Sequence, residues 1–514
     1  MRIGIDVGGT NTDAVLMDGT SVRAWYKTPT TPDVSSGIRA ALQHVLDEAG
    51  VPASEIKAVM IGTTHFTNAV VERRRLLEVA AIRIGRPATE ALPPMVDWPD
   101  DLQQAIGNHG YMIHGGYEFD GRQIAALDER EVREVAADIK RRGLRSAAIT
   151  SVFSPVNSAM EERVAEILQE EVPGLFVSLS NEIGRIGLLE RENAAIMNAC
   201  LRELAIHVVD SFGAALQQLG IDAPFYISQN DGTLMSAEYV KRYPVLTFAS
   251  GPTNSMRGAA FLSGVKDAMV VDIGGTTSDV GMLIRGFPRE SSVAVQIGGV
   301  RTNFRMPDVL SFGLGGGSLV RHASEVRIGP DSVGYALTER GLVFGGDTLT
   351  TTDIIVAAGL ADLGDRSRVA HLSPTLVKEA VDQIHRMVEV AVDRMKTSAE
   401  PLPVILVGGG SILIHRDIPG TSEVIKPDHF PVANAIGAAI AQVGGEVDRI
   451  FALEGMTREE ALDAAKAEAS AKAVEAGAAP ETVQIVDVEE VPLTYLPSNA
   501  VRVRVKAVGD LALS

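Results

Sequence analysis

The chain has 514 residues, of which 46% are hydrophobic and 22% charged, with a formal net charge of −19 at pH 7. That size builds two or three cores, no stretch reaches the length of a membrane span, and the acidic balance excludes a broad basic surface for nucleic acid or an anionic membrane. The single cysteine, Cys200, excludes an intrachain disulfide and Cys-rich zinc or iron–sulfur sites, and its apolar helical setting reads as burial in preference to a reactive thiol.

The first residues enter a strand with no basic or apolar leader, so a cytoplasmic location is expected. Strands over 1–6 and 13–17 flank the turn Asp6-Val7-Gly8-Gly9-Thr10-Asn11-Thr12-Asp13. This is a hairpin-like loop and not the strand-to-helix turn of a dinucleotide fingerprint. Such a turn offers backbone N–H groups and small hydroxyls to phosphate oxygens, and its carboxylates can hold a hydrated cation. A helix over 34–49 and a strand over 58–61 follow. The strand ends in Gly62-Thr63-Thr64-His65-Phe66-Thr67-Asn68, which reads either as a ligand-facing loop or as a capped helix start.

From about residue 85 to 180 the chain is loop-rich and then alternates helix (129–141), strand (147–153), helix (159–171) and strand (176–179), the pattern of an inserted α/β subdomain. His109 and His114 have no third ligand at metal-like spacing and read as surface residues. The long helix over 190–220 is mostly core, interrupted by Asn193 and Asn198. Ser250-Gly251-Pro252 leads into a small-residue helix over 256–262, either an anion cradle or a tight crossover.

Asp272-Ile273-Gly274-Gly275-Thr276-Thr277-Ser278-Asp279 then repeats the first turn, with both Asp residues and Gly-Gly-Thr at the same offsets. One Gly-Gly-Thr is weak evidence; two matched copies are strong. The glycine-rich run 312–318 can approach a ligand closely, and Asp347 and Asp353 add carboxylates among hydroxyls. A helix over 374–397 precedes an apolar strand ending in Gly408-Gly409-Gly410-Ser411, where small residues would seat a flat nucleoside. Residues 433–439 form a small-residue helix suited to close packing at a hinge. In the tail, Thr457 and Glu460 form a capping box that opens a helix to about 476. Strands over 483–496 and 501–507 complete an accessory module for packing or for a partner.

Two phosphate turns, a glycine-rich nucleoside strand and two small-residue helices together resemble the superfamily of sugar kinases, actin and the heat-shock chaperone ATPases. More narrowly, the two turns, Gly62-Thr63-Thr64 with Asn68, Glu190-Arg191 with Asn198, Ser250-Gly251-Pro252, Gly315 to Ser318 and Thr350 to Asp353 resemble the hydantoinase/oxoprolinase family, of the N-methylhydantoinase A and acetone carboxylase beta-subunit type. The resemblance implies an α/β fold of two ribonuclease-H-like domains around a nucleotide cleft, with an inserted α/β subdomain and a small C-terminal α+β tail. The expected segments are 1–84 and 181–262 for the first domain, 85–180 for the insertion, 263–445 for the second domain and 446–514 for the tail.

The implied activity is ATP-dependent hydrolysis of a cyclic amide such as a hydantoin or oxoproline. ATP and magnesium are the implied cofactors, a second hydantoinase-type subunit is the expected partner, and a homo-oligomer is open. Asp6 and Asp272 would organise magnesium and water. Gly8, Gly9, Thr10, Asn11, Thr12, Gly274, Gly275, Thr276 and Thr277 would hold phosphate, and Gly408, Gly409, Gly410 and Ser411 the nucleoside. Asp13 and Asp279 would orient the loops or polarise a nucleophile, with turn capping as the plainer role. Thr63, Thr64, His65, Asn68, Arg191 and Asn198 are the substrate-side candidates, each with a salt-bridged or core role equally open. His65 and Phe66 depart from the smaller or aliphatic residues expected in that loop, and the tail is shorter than the C-terminal domain of longer members. Two rival readings are a sugar-type small-molecule kinase and an ATP-switched regulatory partner.

Overall fold

The strand Arg2–Val7 is buried from Ile3 onward, as a strand covered on both faces requires. It lies inside a nine-stranded sheet in the computed structural model, which describes residues 1–9, 11–30, 34–291, 294–303, 306–322, 325–453, 455–493 and 500–512. Arg2–Val7 pairs antiparallel with Asn11–Asp18, which pairs antiparallel with Ser21–Pro29. On its other side it pairs parallel with Ala58–Thr63.

A six-stranded sheet repeats this arrangement. Ala268–Ile273 pairs antiparallel with Ser278–Ile284, which pairs antiparallel with Val309–Phe312; on its other side Ala268–Ile273 pairs parallel with Val404–Val407. A third, four-stranded sheet is parallel throughout, in the order His109–His114, Val79–Arg86, Ser146–Ser151, Phe176–Leu179. Each sheet has its own apolar core. The result is a mixed α/β fold with several sheets.

The expected helices appear as Val34–Ala49, Glu129–Arg142, Leu188–Gln218 and Pro374–Met395. Two local expectations change. Ser250, Gly251 and Pro252 lie in the first turn of the helix Ser250–Ser263, because Ala249 takes the left-handed conformation (φ 58°) and turns the chain one residue earlier. The tail is not separate from the sheets. Gln484–Leu493 and Ala500–Gly509 pair with each other, and Ala500–Gly509 pairs along Gln442–Ala452, extending the nine-stranded sheet. The expected strand end at 494–496 lies outside the described residues. The capping box forms as read, with Thr457 and Glu460 exchanging side-chain and backbone bonds.

Two small-residue helices, Ser250–Ser263 and Ala433–Ala439, cross between the large sheets. A Cβ on Gly258 would overlap the Ala433 carbonyl oxygen, and one on Gly437 would overlap the Asn254 carbonyl oxygen. Glycine is the only residue that allows this backbone approach. The two contacts are reciprocal, so the helices meet about a local twofold.

Candidate functional site

The two Asp-Gly-Gly turns are built alike. In the first, Asp6 faces Asp13 across the hairpin and Gly8 donates its N–H to the Asn11 carbonyl at 3.0 Å. In the second, Asp272 faces Asp279 and Gly274 donates to the Thr277 carbonyl at 2.9 Å. Both turns open on one cavity of ≈ 240 Å³, whose lining includes all four carboxylates, Gly8, Gly9, Asn11, Lys27, Gly274, Gly275, Thr276, Thr277, Gly408 and Gly409.

The crossing helices reach into this cavity from behind. Asn434 donates to Asp6 Oδ2 at 2.9 Å and to Asp13 Oδ2 at 2.8 Å. From the other helix, Ser255 hydrogen-bonds the Asp272 carboxylate; from the strand Val309–Phe312, Ser311 Oγ donates to Asp279 Oδ1. Lys27 Nζ lies 2.6 Å from each Asp13 carboxylate oxygen, with the well-directed bond to Oδ2.

Asp6 and Asp13 are buried, while Asp272 and Asp279 are half-buried and open to the cavity. Burial, with the Asp13 charge beside it, pushes the Asp6 carboxyl up to about 7, against the pull of Asn434, Asn254 and Lys27. Asp279 is pushed up to about 6 by burial, partly offset by Ser311. Burial also raises Asp272, which Ser255 and Lys27 oppose. Carboxylates that resist ionisation in a polar cavity want a cation.

Asp13 Oδ1 and both amide heteroatoms of Asn254 are buried without a well-aligned hydrogen-bond partner, although Asn254 lies close enough to Asp6 to favour its charged form. All-oxygen carboxylate donors with unsatisfied neighbours fit a hard divalent cation. Among the described residues no three His, Cys, Asp or Glu gather as a ready-made metal cage. A cation here would keep water or phosphate oxygens for most of its shell, which is how magnesium is commonly held.

The other expected residues divide between the cavity and its supports. Thr10 lies outside the described residues. Thr12 is buried, with its hydroxyl 3.2 Å from that of Thr30. Gly410 and Ser411 are buried behind the cavity; Ser411 Oγ bonds the Val407 carbonyl, and a Cβ on Gly410 would meet the Gly274 carbonyl at 2.7 Å. The glycine-rich run approaches a turn and not an open ligand site: Gly316 and Gly317 donate to the Gly274 and Gly275 carbonyls at 3.0 and 2.7 Å. Asp353 is the N3 residue of a buried capping box with Thr350.

None of Thr63, Thr64, His65 and Asn68 lines the cavity: Thr63 is buried at the end of its strand, and Thr64 is the N-cap of the helix His65–Glu72, whose first turn lies beside the first hairpin turn. Thr64 donates its N–H to the Val7 carbonyl at 3.3 Å, and Asn68 is exposed next to Gly9. His65 Nδ1 lies 2.5 Å from Thr63 Oγ1, and burial lowers its pKa to about 4, so it is neutral near pH 7.

Arg191 and Asn198 are not brought to the cavity. Arg191 is fully buried and donates to Ser180 Oγ and to the carbonyls of Ser151, Arg185, Ile186 and Gly187. Asn198 bonds Ser178 and the Arg242 carbonyl. Both tie the long helix to the inserted sheet. Cys200 is buried and its thiol is pushed up to about 12, as expected for an inert core thiol. His109 and His114 pair with Glu78 and Glu131.

Sequence reasoning missed Lys27, Asn254 and Ser311 as site residues, and took the helix carrying Asn434 for packing alone.

Fold and site together define a class of α/β protein in which two like hairpins face one acidic cavity across a pair of crossing helices. The chain belongs to the hydantoinase/oxoprolinase family: residues 2–172 match the hydantoinase/oxoprolinase N-terminal region and residues 191–363 match the hydantoinase/oxoprolinase domain. It is 28% identical over 396 residues to the acetophenone carboxylase gamma subunit of Aromatoleum aromaticum, covering 70% of this chain and 53% of that one. It is 27% identical over 390 residues to the caprolactamase subunit alpha of Pseudomonas jessenii, covering 70% and 55%. The chain thus spans little more than half the length of these relatives.

Among solved structures, the ATP-dependent caprolactamase from Pseudomonas jessenii superposes with a TM-score of 0.79 at 20% identity, covering 99% of this chain and 87% of that one. Nucleotide-free acetone carboxylase gives 0.69 at 18%, covering 100% and 88%. These two likenesses concern the fold. No helix among the described residues is long and apolar enough to cross a membrane.

Proposed function

We propose that the cavity binds ATP with magnesium and transfers its terminal phosphoryl group to the carbonyl oxygen of a cyclic amide, which the enzyme then hydrolyses. One observation carries this reading: Asp6 faces Asp13 and Asp272 faces Asp279 in two identically built turns that share a single cavity. In this reading the halves carrying the two turns are ribonuclease-H-like domains, residues 85–180 are a substrate subdomain inserted in the first, and residues 446–514 are an accessory tail.

The turns' backbone N–H groups and the side chains of Asn11, Thr276 and Thr277 take the phosphates, and Gly408 and Gly409 face the nucleoside. Asp6 and Asp272 are the residues that would hold magnesium, which when bound neutralises phosphate charge. Thr64, His65 and Asn68, at the helix start beside the first turn, are the acceptor-side residues of this reading, with Thr63 buried behind them.

An amide carbonyl is a poor electrophile. The carbonyl oxygen forms a bond to the terminal phosphorus as the bond from that phosphorus to the bridging oxygen breaks, its electron pair leaving on ADP. Water then adds at the carbon and the amine leaves, so the ring opens to an acyl phosphate. A second water displaces phosphate at carbon, and the phosphate departs with the former carbonyl oxygen. The protein's share is positioning and charge neutralisation.

The caprolactamase and 5-oxoprolinase relatives favour an amide acceptor. The acetophenone and acetone carboxylase relatives favour a second reading, in which the acceptor is a ketone oxygen. The relatives named as subunits support a partner subunit, and a cytoplasmic location for both is part of the proposal. The test is ADP release measured against a panel of hydantoins, lactams, ketones and hexoses, with and without a co-expressed partner. Stimulation by a lactam or hydantoin that disappears in Asp272→Asn supports the proposal. Stimulation by hexoses alone overturns it.

A further inference from the structure

The two hairpins share both Asp residues and Gly-Gly-Thr at the same offsets, but the strands beyond them differ where they face the second Asp. On the strand beyond each hairpin, the residue opposite Asp13 is Lys27, and the residue opposite Asp279 is Ser311. Among the described residues lining the cavity, Lys27 is the only lysine or arginine. Its side chain is 28% exposed while that of Asp13 is 2% exposed, so the ammonium stands between a buried carboxylate and open space. An ammonium has three donors, and only the bond to Asp13 Oδ2 is well directed. Donors remain for a ligand.

The neighbours fix which end of a phosphate chain would meet it. Gly408 abuts the Asp272 carboxylate and Gly410 abuts the Gly274 carbonyl, so the glycine strand lies against the second hairpin. The start of the helix His65–Glu72 lies against the first: Thr64 bonds Val7, and Asn68 is next to Gly9. The order is glycine segment, second hairpin and first hairpin with Lys27 across the cavity, then the helix start beyond it. Taking the cavity as the nucleotide site, on which this inference rests, the phosphate farthest from the nucleoside lies at the first hairpin.

We propose that Lys27 contacts the terminal phosphoryl group and stays with it through transfer, beside the divalent ion that Asp272, with Asp6, would hold. Lys27 exchanges no proton in this step. It offsets charge on the phosphoryl oxygens as the bond to the bridging oxygen breaks and the bond to the acceptor oxygen forms.

The test is calorimetric titration of the full chain with magnesium and either ADP or the non-hydrolysable imido analogue of ATP. Wild type is expected to prefer the imido analogue. Lys27→Met is expected to lose about tenfold or more of that preference while ADP affinity stays within about twofold. Should Lys27→Met fail to fold by thermal melting, the double variant Asp13→Asn with Lys27→Met, which removes the unpaired buried carboxylate, carries the same expectation. Paramagnetic resonance of manganese bound with ADP is expected to survive Lys27→Met and to vanish in Asp272→Asn.

Wild type that binds the two nucleotides alike, a Lys27→Met variant that keeps the full preference, or manganese lost equally in both variants overturns the inference and leaves the nucleotide site standing. Wild type that binds neither nucleotide overturns the reading of the cavity itself.

Discussion

Gly258 and Gly437 face each other at the crossing of the two small-residue helices, each without room for a Cβ against the opposite backbone. The contact sets the distance between the halves. It also places Ser255, three residues before Gly258, on Asp272, and Asn434, three residues before Gly437, on Asp6 and Asp13. The site depends on a packing feature that carries no chemistry of its own.

Gly437→Ala is therefore expected to lower stability by about 3 kcal/mol, because backbone, and not a flexible side chain, would have to move. Urea denaturation reads this directly. Nucleotide affinity should fall with it; a variant with unchanged denaturation midpoint contradicts the crossing as described.

The Asp6 carboxyl is raised to about 7 in the fold from 3.8. Between those values the folded state holds a proton that the unfolded state has released, so the Asp6 contribution to stability is lost as pH rises from about 4 to about 7. His65, lowered to about 4, works in the opposite sense over part of that range, so the whole protein's profile does not isolate Asp6. The difference between Asp6→Asn and wild type does. It is expected to grow in favour of the variant across that window, by something of the order of 4 kcal/mol at most. A pH-independent difference contradicts the raised value.

Arg191→Met removes five donor contacts and strips the buried Glu161 of its nearby cation. A loss of about 3–5 kcal/mol is expected, with the nucleotide affinity of the remaining folded protein unchanged. If stability holds while only KM for the acceptor rises, Arg191 is a substrate residue after all.

Ala500–Gly509 pairs on both sides, and Val503, Val505 and Ala507 are fully buried. A chain ending at residue 483 should leave Gln442–Ala452 uncovered and be insoluble. A soluble truncation with the melting temperature of the full chain would show the tail to be dispensable.

The duplicated turns were legible because each is a short local pattern, and both hairpins form in the register their spacing requires. Lys27 was not. Counting back from the tight turn that pairs Asp18 with Ser21 puts residue 26 opposite Asp13, but a bulge between Leu16 and Met17 shifts the register by one and brings Lys27 there. One residue of slip exchanges the faces of a strand. Asn434 and Ser255 reach the site through the helix crossing, a tertiary contact that helical periodicity cannot encode. The glycine-rich run shows the opposite error: its glycines do serve close approach, but to the Gly274–Gly275 backbone. Arg191 and Asn198 look alike in sequence whether they bind a substrate or hold a subdomain, and only their partners separate the two.

The phosphoryl-transfer chemistry is tested most directly with an active amide substrate carrying heavy oxygen at its carbonyl. Turnover with ATP in ordinary water, followed by mass analysis of the products, should place the label in inorganic phosphate. Label retained wholly in the ring-opened carboxylate, with none in phosphate, would contradict departure of the activated carbonyl oxygen with phosphate.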